Sequence, residues 1–370
     1  MKENCLVIVG ELSGQEHAST FLPQLIEKNP TYYFWGVGGE SMEHWGVELI
    51  YHLKDFSSVG FSEVVKKIFF YLSARKRIIK EVDERKTTVA ILVDFQGFNL
   101  SLVKLLKKRN IKVLYYVAPQ AWAWKEWRTK VLAAATDEVF CILPFEENWF
   151  RSRGVLQAKN VIHPLLIKVP HADVVPNKMK KILLLPGSRN SEVSILLPIM
   201  ILVLKKCNLI NHPEFEIHLV QSSSVSKTCF ELYLPYIKQV YANDSLAIAL
   251  NQATICLAAS GTVTLNCGLH LVPTIVCYRV SLFNEWIIKS FIKYKGFVSL
   301  VNLFLQKKVF PEYLQEECLP EIIAKKLSNW LDSDEELMNI RLELRKLQNL
   351  NQDCKNDTVD TMSKHFKVNK

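Results

Sequence analysis

Ile182-Leu183-Leu184-Leu185 is a run of four apolar residues that stops at Pro186, turns at Gly187 and then presents Ser188 and Arg189. An apolar run without polar alternation, closed by Pro-Gly, suits a short parallel strand buried on both faces. That requirement points to an α/β chain with helices on either side of a sheet. Gly187 lets the backbone come close to a ligand, and Arg189 offers five donors in a fixed fork that matches phosphate oxygens. Ligands in open α/β sheets bind just past the carboxyl ends of the strands, where this arginine would stand. The plainer alternative is an ordinary strand-to-helix turn with a surface arginine, and the octapeptide alone leaves both open.

The same pattern recurs along the chain. Cys5-Leu6-Val7-Ile8-Val9 reads as a first strand, followed by Gly10-Glu11-Leu12-Ser13-Gly14-Gln15-Glu16-His17-Ala18. A strand, a polar turn between two glycines and a helix make the mononucleotide-binding layout, though not G-x-G-x-x-G. Phe34-Trp35-Gly36-Val37-Gly38-Gly39 is a second strand with a glycine-rich exit. Val89-Ala90-Ile91-Leu92-Val93 ends on Asp94 before Phe95-Gln96-Gly97-Phe98-Asn99 turns into a helix. A carboxylate there faces the ligand crevice and is a candidate base, with helix capping as the alternative. Val113-Leu114-Tyr115-Tyr116-Val117 leads to Pro119-Gln120-Ala121-Trp122-Ala123-Trp124-Lys125. Two tryptophans beside Lys125 and Arg128 have the alternative of simply packing domain halves together. Val139 to Glu146 closes this first set.

Between Ile167 and Lys180 the pattern lapses, with Pro170, Pro176 and the charged Lys178, Lys180 and Lys181 marking a linker. A second set then runs from Ile182 through Ile217-His218-Leu219-Val220 to Ala253–Ala259, which opens into Ser260-Gly261-Thr262. Small residues at a strand end that opens a helix make an anion cradle from free N–H groups and the helix dipole. Pro273 to Arg279 gives another strand, ending in an arginine. The expected division is 1–167, 178–345 and a charged helical tail at 346–370.

At 370 residues the chain suits two α/β domains rather than one core, and 49% hydrophobic with 22% charged residues is globular composition. The net charge of +9 points to anionic partners. No nucleic-acid signature accompanies it, so none is expected as a partner. Nine cysteines form no C-x-x-C pair and several sit in apolar runs, which predicts reduced core thiols of a cytosolic protein without disulfides or a zinc site. The first apolar run is too short for a signal peptide, and no stretch has eighteen uninterrupted apolar residues, so no membrane span is expected.

Residues 59–80 set Val65, Ile68, Phe69 and Leu72 beside Lys66, Lys67, Arg75 and Arg77 on one predicted helix. This fits a core helix whose basic residues reach outward, or a helix dipping an apolar edge into an anionic bilayer.

Taken together, these motifs resemble those of the lipid-A-disaccharide synthase family nearly end to end. The resemblance rests on Gly10-Glu11 with Ser13-Gly14 and His17, Val93-Asp94 with Gly97-Phe98-Asn99, and Tyr116 to Gln120 with Trp122-Ala123-Trp124. It continues through Leu143-Pro144-Phe145-Glu146, His163-Pro164, Leu185 to Arg189 with Glu192-Val193, Ala259-Ser260-Gly261-Thr262, Tyr278-Arg279, Asn302 and Leu314-Gln315-Glu316. It implies the GT-B fold, two facing Rossmann-like domains with parallel sheets and an active-site cleft between them. The implied reaction moves 2,3-diacylglucosamine from its UDP carrier to 2,3-diacylglucosamine 1-phosphate, with inversion, giving the β-1,6 lipid A disaccharide 1-phosphate and UDP.

The implied catalytic residues are Asp94 and Glu11. Arg189, Ser188, Ser260, Gly261, Thr262, Arg279 and Asn302 are expected at the donor, and Ser13, Gly14, His17, Asn99, Gln120 and Trp122 at the acceptor. Neither a metal nor another cofactor is expected. Acylated substrates favour the membrane edge at Val65, Lys66, Ile68, Phe69, Leu72 and Arg75, placing the protein peripherally on the cytoplasmic face of a Gram-negative inner membrane. A homodimer stays open. The chain departs from the family pattern at Gln15 and Asn266, where acids are usual, at Ile162 for Gly and at Val301 for Pro. The rival readings are another UDP-sugar transferase of this fold on a lipid acceptor, or a weakly active membrane-associated scaffold.

Overall fold

The computed structural model describes residues 2–57, 64–167, 179–279, 296–350 and 358–366, with the backbone alone at 57 and 64–67. Two compact units emerge, Met1–Pro164 with Cys354–Lys370, and Leu165–Asp353.

In the first unit the apolar runs form strands β1 (Glu3–Val9), β2 (Tyr32–Gly38), β3 (Glu48–His52), β4 (Thr87–Val93), β5 (Lys112–Tyr116), β6 (Glu138–Cys141) and β7 (Ala158–Asn160). They pair in parallel in the order β3-β2-β1-β4-β5-β6-β7. Successive strand side chains point to opposite faces, so each run feeds two cores. Leu6, Ile8, Ala90, Leu92, Val113 and Tyr115 join one, while Cys5, Val7, Val9, Ile91, Val93, Leu114 and Tyr116 join the other. Continuous hydrophobicity is the signature of that two-sided burial.

The second unit repeats the plan with β8 (Lys180–Leu185), β9 (Phe215–Gln221), β10 (Gln239–Ala242), β11 (Ile255–Ala259), β12 (Thr274–Tyr278) and β13 (Glu312–Leu314). Their order is β10-β9-β8-β11-β12-β13, again parallel. Each sheet therefore reverses its winding once, between β1 and β4 and between β8 and β11, and ligands bind at such reversals.

Helix Val64–Glu84 buries Ala74, Ile78 and Val82, spaced one turn apart, against the first sheet. Ile68, Phe69 and Leu72 lie off that stripe and are 54%, 68% and 39% exposed. Arg75 is half-buried. Val65, Lys66 and Lys67 lie outside the residues whose side chains are described. Most of the expected linker, 168–178, likewise falls outside the described residues. No helix among the described residues is long and apolar enough to cross a membrane. The eight described cysteines are all free thiols.

The tail read from the sequence as one segment is divided between the units. Helix Asp334–Asn349, capped by Ser333 Oγ accepting from the Glu336 N–H, buries Leu337, Leu344 and Leu347 with the second unit. Helix Thr358–Ser363 belongs instead to the first unit, where Met362 and Phe366 enter the core. The Phe366 ring lies 4.7 Å from Tyr32 and 5.9 Å from Phe34, and Lys28 pairs with Asp360. Phe366→Ala should destabilise the first unit by about 3–5 kcal/mol, the cost of emptying a buried aromatic site. Denaturant unfolding monitored on the whole chain would measure it, and an unchanged midpoint would show that the segment does not complete this core.

Candidate functional site

Asp94 stands just past β4, at the reversal between β1 and β4. Its N–H donates to the Tyr116 carbonyl at 2.8 Å, which fixes it to the neighbouring strand. Both Asp94 and Phe95 adopt left-handed backbone, with φ of 48° and 46°. Two such non-glycine residues in succession are unfavourable and persist only where surrounding packing enforces them. Part of that packing is visible at Gly10, where a Cβ would come within 2.1 Å of the Phe95 ring. Asn99 enforces the rest. It is wholly buried, and its Nδ2 donates to the carbonyls of Val93 (3.2 Å) and Asp94 (2.8 Å). Asn99 therefore holds the backbone of Asp94 through Nδ2, while its buried Oδ1 accepts no hydrogen bond among the described residues.

The carboxylate of Asp94 is largely desolvated and lies close to Glu11, and these two causes, in that order, push its pKa up to about 6. The Ser13 hydroxyl, donating to Oδ2 at 3.4 Å, and the Phe95 N–H oppose the shift. Glu11 is exposed at the start of helix Leu12–Ser19 and acts on Asp94 through its charge. Gly14 lies against the ends of β1 and β4, where a Cβ would sit 3.2 Å from Val9 Cγ1 and 3.7 Å from the Asp94 Cβ. A carboxylate titrating near neutrality, at a strand end beside a hydroxyl, suits a general base.

The other residues expected nearby behave differently from one another. His17 is buried against His163, ring centroids 5.3 Å apart, and burial drives its pKa down to about 4, so it is neutral at pH 7. Gln120 is exposed, in the loop after β5. Trp122, in the same loop, donates its Nε1 to Glu146 Oε1 at 2.9 Å. Glu146 is buried, and its Oε2 also accepts from the N–H groups of Ile142 (3.2 Å) and Leu143 (3.1 Å). Desolvation outweighs these donors and lifts its pKa to about 7. Its motif was visible in the sequence; this tie to Trp122 was not.

In the second unit the reversal between β8 and β11 opens a pocket of about 260 Å³. Ser188, Arg189, Ser260, Gly261 and Thr262 line it together, as the sequence suggested. Gly187 has φ +120°, and a Cβ there would come 2.5 Å from Glu192 Oε2. Glycine is thus required both by the backbone conformation and by the packing. Glu192 organises the loop, accepting from the Ser188 N–H at 3.1 Å and from Arg189 Nη1 at 2.9 Å. The Arg189 side chain is otherwise 76% exposed. Across the pocket, helix Thr262–Leu269 begins at Gly261, so its free N–H groups face the same space.

Ser222 and Asn243 also line this pocket and were missed in the sequence. Asn243 follows β10, whose polar-apolar mixture, Gln239-Val240-Tyr241-Ala242, gave no strand signal. Two expected donor residues are absent from the lining. Among the described residues, Arg279 donates Nη1 to the Cys318 carbonyl at 3.5 Å. Asn302 is fully buried, with Nδ2 donating to Phe310 O and Glu312 Oε1 (both 2.8 Å) and Oδ1 accepting from the N–H groups of Val309 and Phe310. Its amide is spent on shaping the loop at 309–312.

The departures from the family pattern sort the same way. Val301 is buried, its Cγ2 packed 2.6 Å from where a Gly268 Cβ would stand, and Asn266 is not among the pocket's lining residues. Gln15 donates to Ser41 Oγ at 3.3 Å, and Ile162 is half-buried before His163. Among the described residues no group of three or more His, Cys, Asp or Glu side chains is arranged to hold a metal ion.

The chain matches the family model described as Lipid-A-disaccharide synthetase over residues 5–366. It is 33% identical to the lipid-A-disaccharide synthase of Myxococcus xanthus, covering 92% of both chains. It is 30% identical to that of Francisella tularensis subsp. novicida, covering 98% of this chain and 97% of the other. Among solved structures, the calicheamicin glycosyltransferase CalG4 superposes with a TM-score of 0.61 at 11% identity over the whole of both chains. A UDP co-structure of S. aureus MnaA gives 0.59 at 10% identity, covering 99% of this chain and 96% of that one. At such identities the structures speak for a shared fold alone, the two Rossmann-like domains of the GT-B class. The family match is different in kind, because it runs through Asp94, Arg189 and nearly every other residue described above: the chain belongs to the lipid-A-disaccharide synthase family.

Proposed function

We propose that this chain transfers 2,3-diacylglucosamine from its UDP carrier to the 6-hydroxyl of 2,3-diacylglucosamine 1-phosphate, forming the β-1,6 disaccharide 1-phosphate and releasing UDP. Family membership gives the reaction class, a glycosyl transfer from a UDP-linked acylated sugar to an acylated sugar phosphate. The observation that carries the residue assignment is the raised pKa of Asp94 at a winding reversal.

In this reading Asp94 takes the proton of the attacking hydroxyl as the oxygen closes on the anomeric carbon from the face opposite the leaving group. Ser13 orients the carboxylate, and Glu11 keeps it basic enough to accept the proton. The bond to UDP breaks on the other side, and its growing charge meets Arg189 and the N–H groups of Ser260-Gly261-Thr262. Arg189 would exchange its Glu192 partner for the diphosphate. The exposed Ile68, Phe69 and Leu72, beside the basic residues of their helix, support docking on an anionic membrane surface, where acylated substrates reside. The cytoplasmic face of an inner membrane is the setting this implies.

Three results would test the reading. Asp94→Asn should lower turnover by roughly a hundredfold or more. The wild-type rate should rise with pH through about 6, the value at which Asp94 titrates, and that limb should vanish in the variant. Stability should move the opposite way. An aspartate in the unfolded chain titrates near 3.9, so the folded state binds the proton more tightly and loses stability as pH climbs between about 4 and 6. Above that window the buried charge costs on the order of 3 kcal/mol. Asp94→Asn should therefore be at least as stable as the parent at pH 8, and the advantage should fade by pH 4. A variant that is merely unfolded would show the reverse.

For the donor site, Arg189→Lys keeps the charge but loses the fork and should bind UDP clearly less well by calorimetry, and Arg189→Ala less well again. UDP affinity unchanged in Arg189→Ala would remove it from the site. At the membrane, replacing Ile68, Phe69 and Leu72 with serine should leave the fold intact, because these side chains are exposed, and should weaken sedimentation with anionic liposomes. The parent's binding should itself weaken as salt rises. A folded triple variant that pellets as strongly as the parent would exclude this edge.

A further inference from the structure

Beside Asp94 the first unit holds two positive charges against one indole. Lys125 Nζ lies 4.1 Å and the Arg128 guanidinium 4.6 Å from the centre of the Trp124 ring. They are brought together by a tight turn in which Lys125 has φ 57° and its carbonyl accepts the Arg128 N–H at 3.0 Å. Two like charges gathered at one indole repel each other, and an anion between them would relieve that repulsion.

No carboxylate supplies that anion. Among the described residues neither Lys125 nor Arg128 has an acidic partner, and Glu126, which lies between them, is committed to Arg153 at 2.6 Å. Arg128 is only 5% exposed, donates Nη1 to Gln96 Oε1 at 2.7 Å, and leaves its buried Nε without an acceptor. A buried guanidinium with an unspent donor and no counter-ion is costly, and such groups ordinarily find a partner.

The position decides which anion. Gln96, which Arg128 holds, is two residues beyond Asp94 at the start of helix Gln96–Lys107. Tyr115 lies between them, its hydroxyl 3.5 Å from the Asp94 carbonyl and its ring within electrostatic reach of Arg128. A Cβ added at Gly97, the next residue, would meet no atom within 4 Å, so the backbone here faces open space.

We propose that Lys125 and Arg128, set against Trp124, bind the phosphate monoester of the acceptor sugar and so orient its free hydroxyl towards Asp94. This rests on the transferase reading above and adds to it a subsite of the first unit that recognises phosphate. Lys125 is exposed and meets the phosphate as a point charge, while Arg128 offers a buried, directed donor. The subsite makes the enzyme selective for a phosphorylated acceptor, since an acceptor without the group leaves both cations unpaired.

The test is steady-state kinetics in neutral detergent micelles, with 2,3-diacylglucosamine 1-phosphate and the same sugar lacking the phosphate as alternative acceptors. Lys125→Gln removes an exposed charge and its contact with the Trp124 ring while leaving the buried core untouched. It should raise KM for the phosphorylated acceptor by roughly tenfold or more, the scale of one charge-assisted contact, and leave the donor KM unchanged. The preference over the unphosphorylated acceptor should shrink by the same factor. Arg128→Lys, which keeps the charge, should shift KM in the same direction. An unchanged acceptor KM in Lys125→Gln, or equal losses with both acceptors, would overturn the proposal. So would a defect seen only on anionic phospholipid vesicles and absent in detergent, which would make the anion a membrane headgroup. A parent enzyme inactive with this donor and acceptor would instead sink the transferase reading, and the subsite with it.

Discussion

At the boundary between β1 and β4, and again between β8 and β11, the connecting helices leave the sheet on opposite sides, so no crossover covers the strand ends. The chemistry of both units collects at these two uncovered edges. In the first, the turn Gly10–Gly14 and the strand end at Asp94 bring a carboxylate, a hydroxyl and a second carboxylate together. In the second, the Gly187 turn and the N-terminus of helix Thr262–Leu269 set a guanidinium opposite free N–H groups. One sheet plan, used twice, sets a desolvated carboxylate at the reversal in one unit and a guanidinium facing a helix N-terminus in the other. That division of labour matches a reaction in which one partner must lose a proton and the other must leave as a diphosphate.

Holding such groups works against stability. Burial pushes Asp94 up to about 6 and Glu146 to about 7, so both lose favourable hydration when charged. Asp94 and Phe95 add left-handed backbone, and Asn99 spends a buried amide to hold it. The cores on both faces of the sheet offset these local costs, because strands such as Cys5–Val9 bury every side chain they carry. Asp94 thus combines left-handed backbone with a desolvated carboxylate at the reversal, a pairing common at functional sites.

What the sequence disclosed follows from this layout. Apolar runs that end on Gly, Asp or Ser-Gly-Thr announce strands whose carboxyl ends carry chemistry, so the two sheets and the groups at Asp94, Arg189 and Ser260–Thr262 were legible. Residues whose role depends on what they touch were not. Asn99 and Asn302 sit in recognisable motifs, but only the structure shows Asn99 Nδ2 on the carbonyls of Val93 and Asp94 and the Asn302 amide on Val309, Phe310 and Glu312. Arg279 ends a strand as Arg189 follows one, but β12 lies one strand away from the reversal, and its arginine turns to the Cys318 carbonyl. The divided tail was hidden for a similar reason. Its charged helical character is the same on either unit, and only the fit of Phe366 between Tyr32 and Phe34 tells where it docks.

That docking has a consequence for how the protein is made. The strands of the first unit are complete by Asn160, yet Met362 and Phe366, which fill part of its core, are joined to the chain roughly two hundred residues later. At about 5–20 residues per second a ribosome would need on the order of ten to forty seconds to supply them. During that interval the growing chain exposes the apolar surface around Tyr32 and Phe34 while the second unit is still emerging. The first unit therefore cannot complete its core until Met362 and Phe366 have emerged.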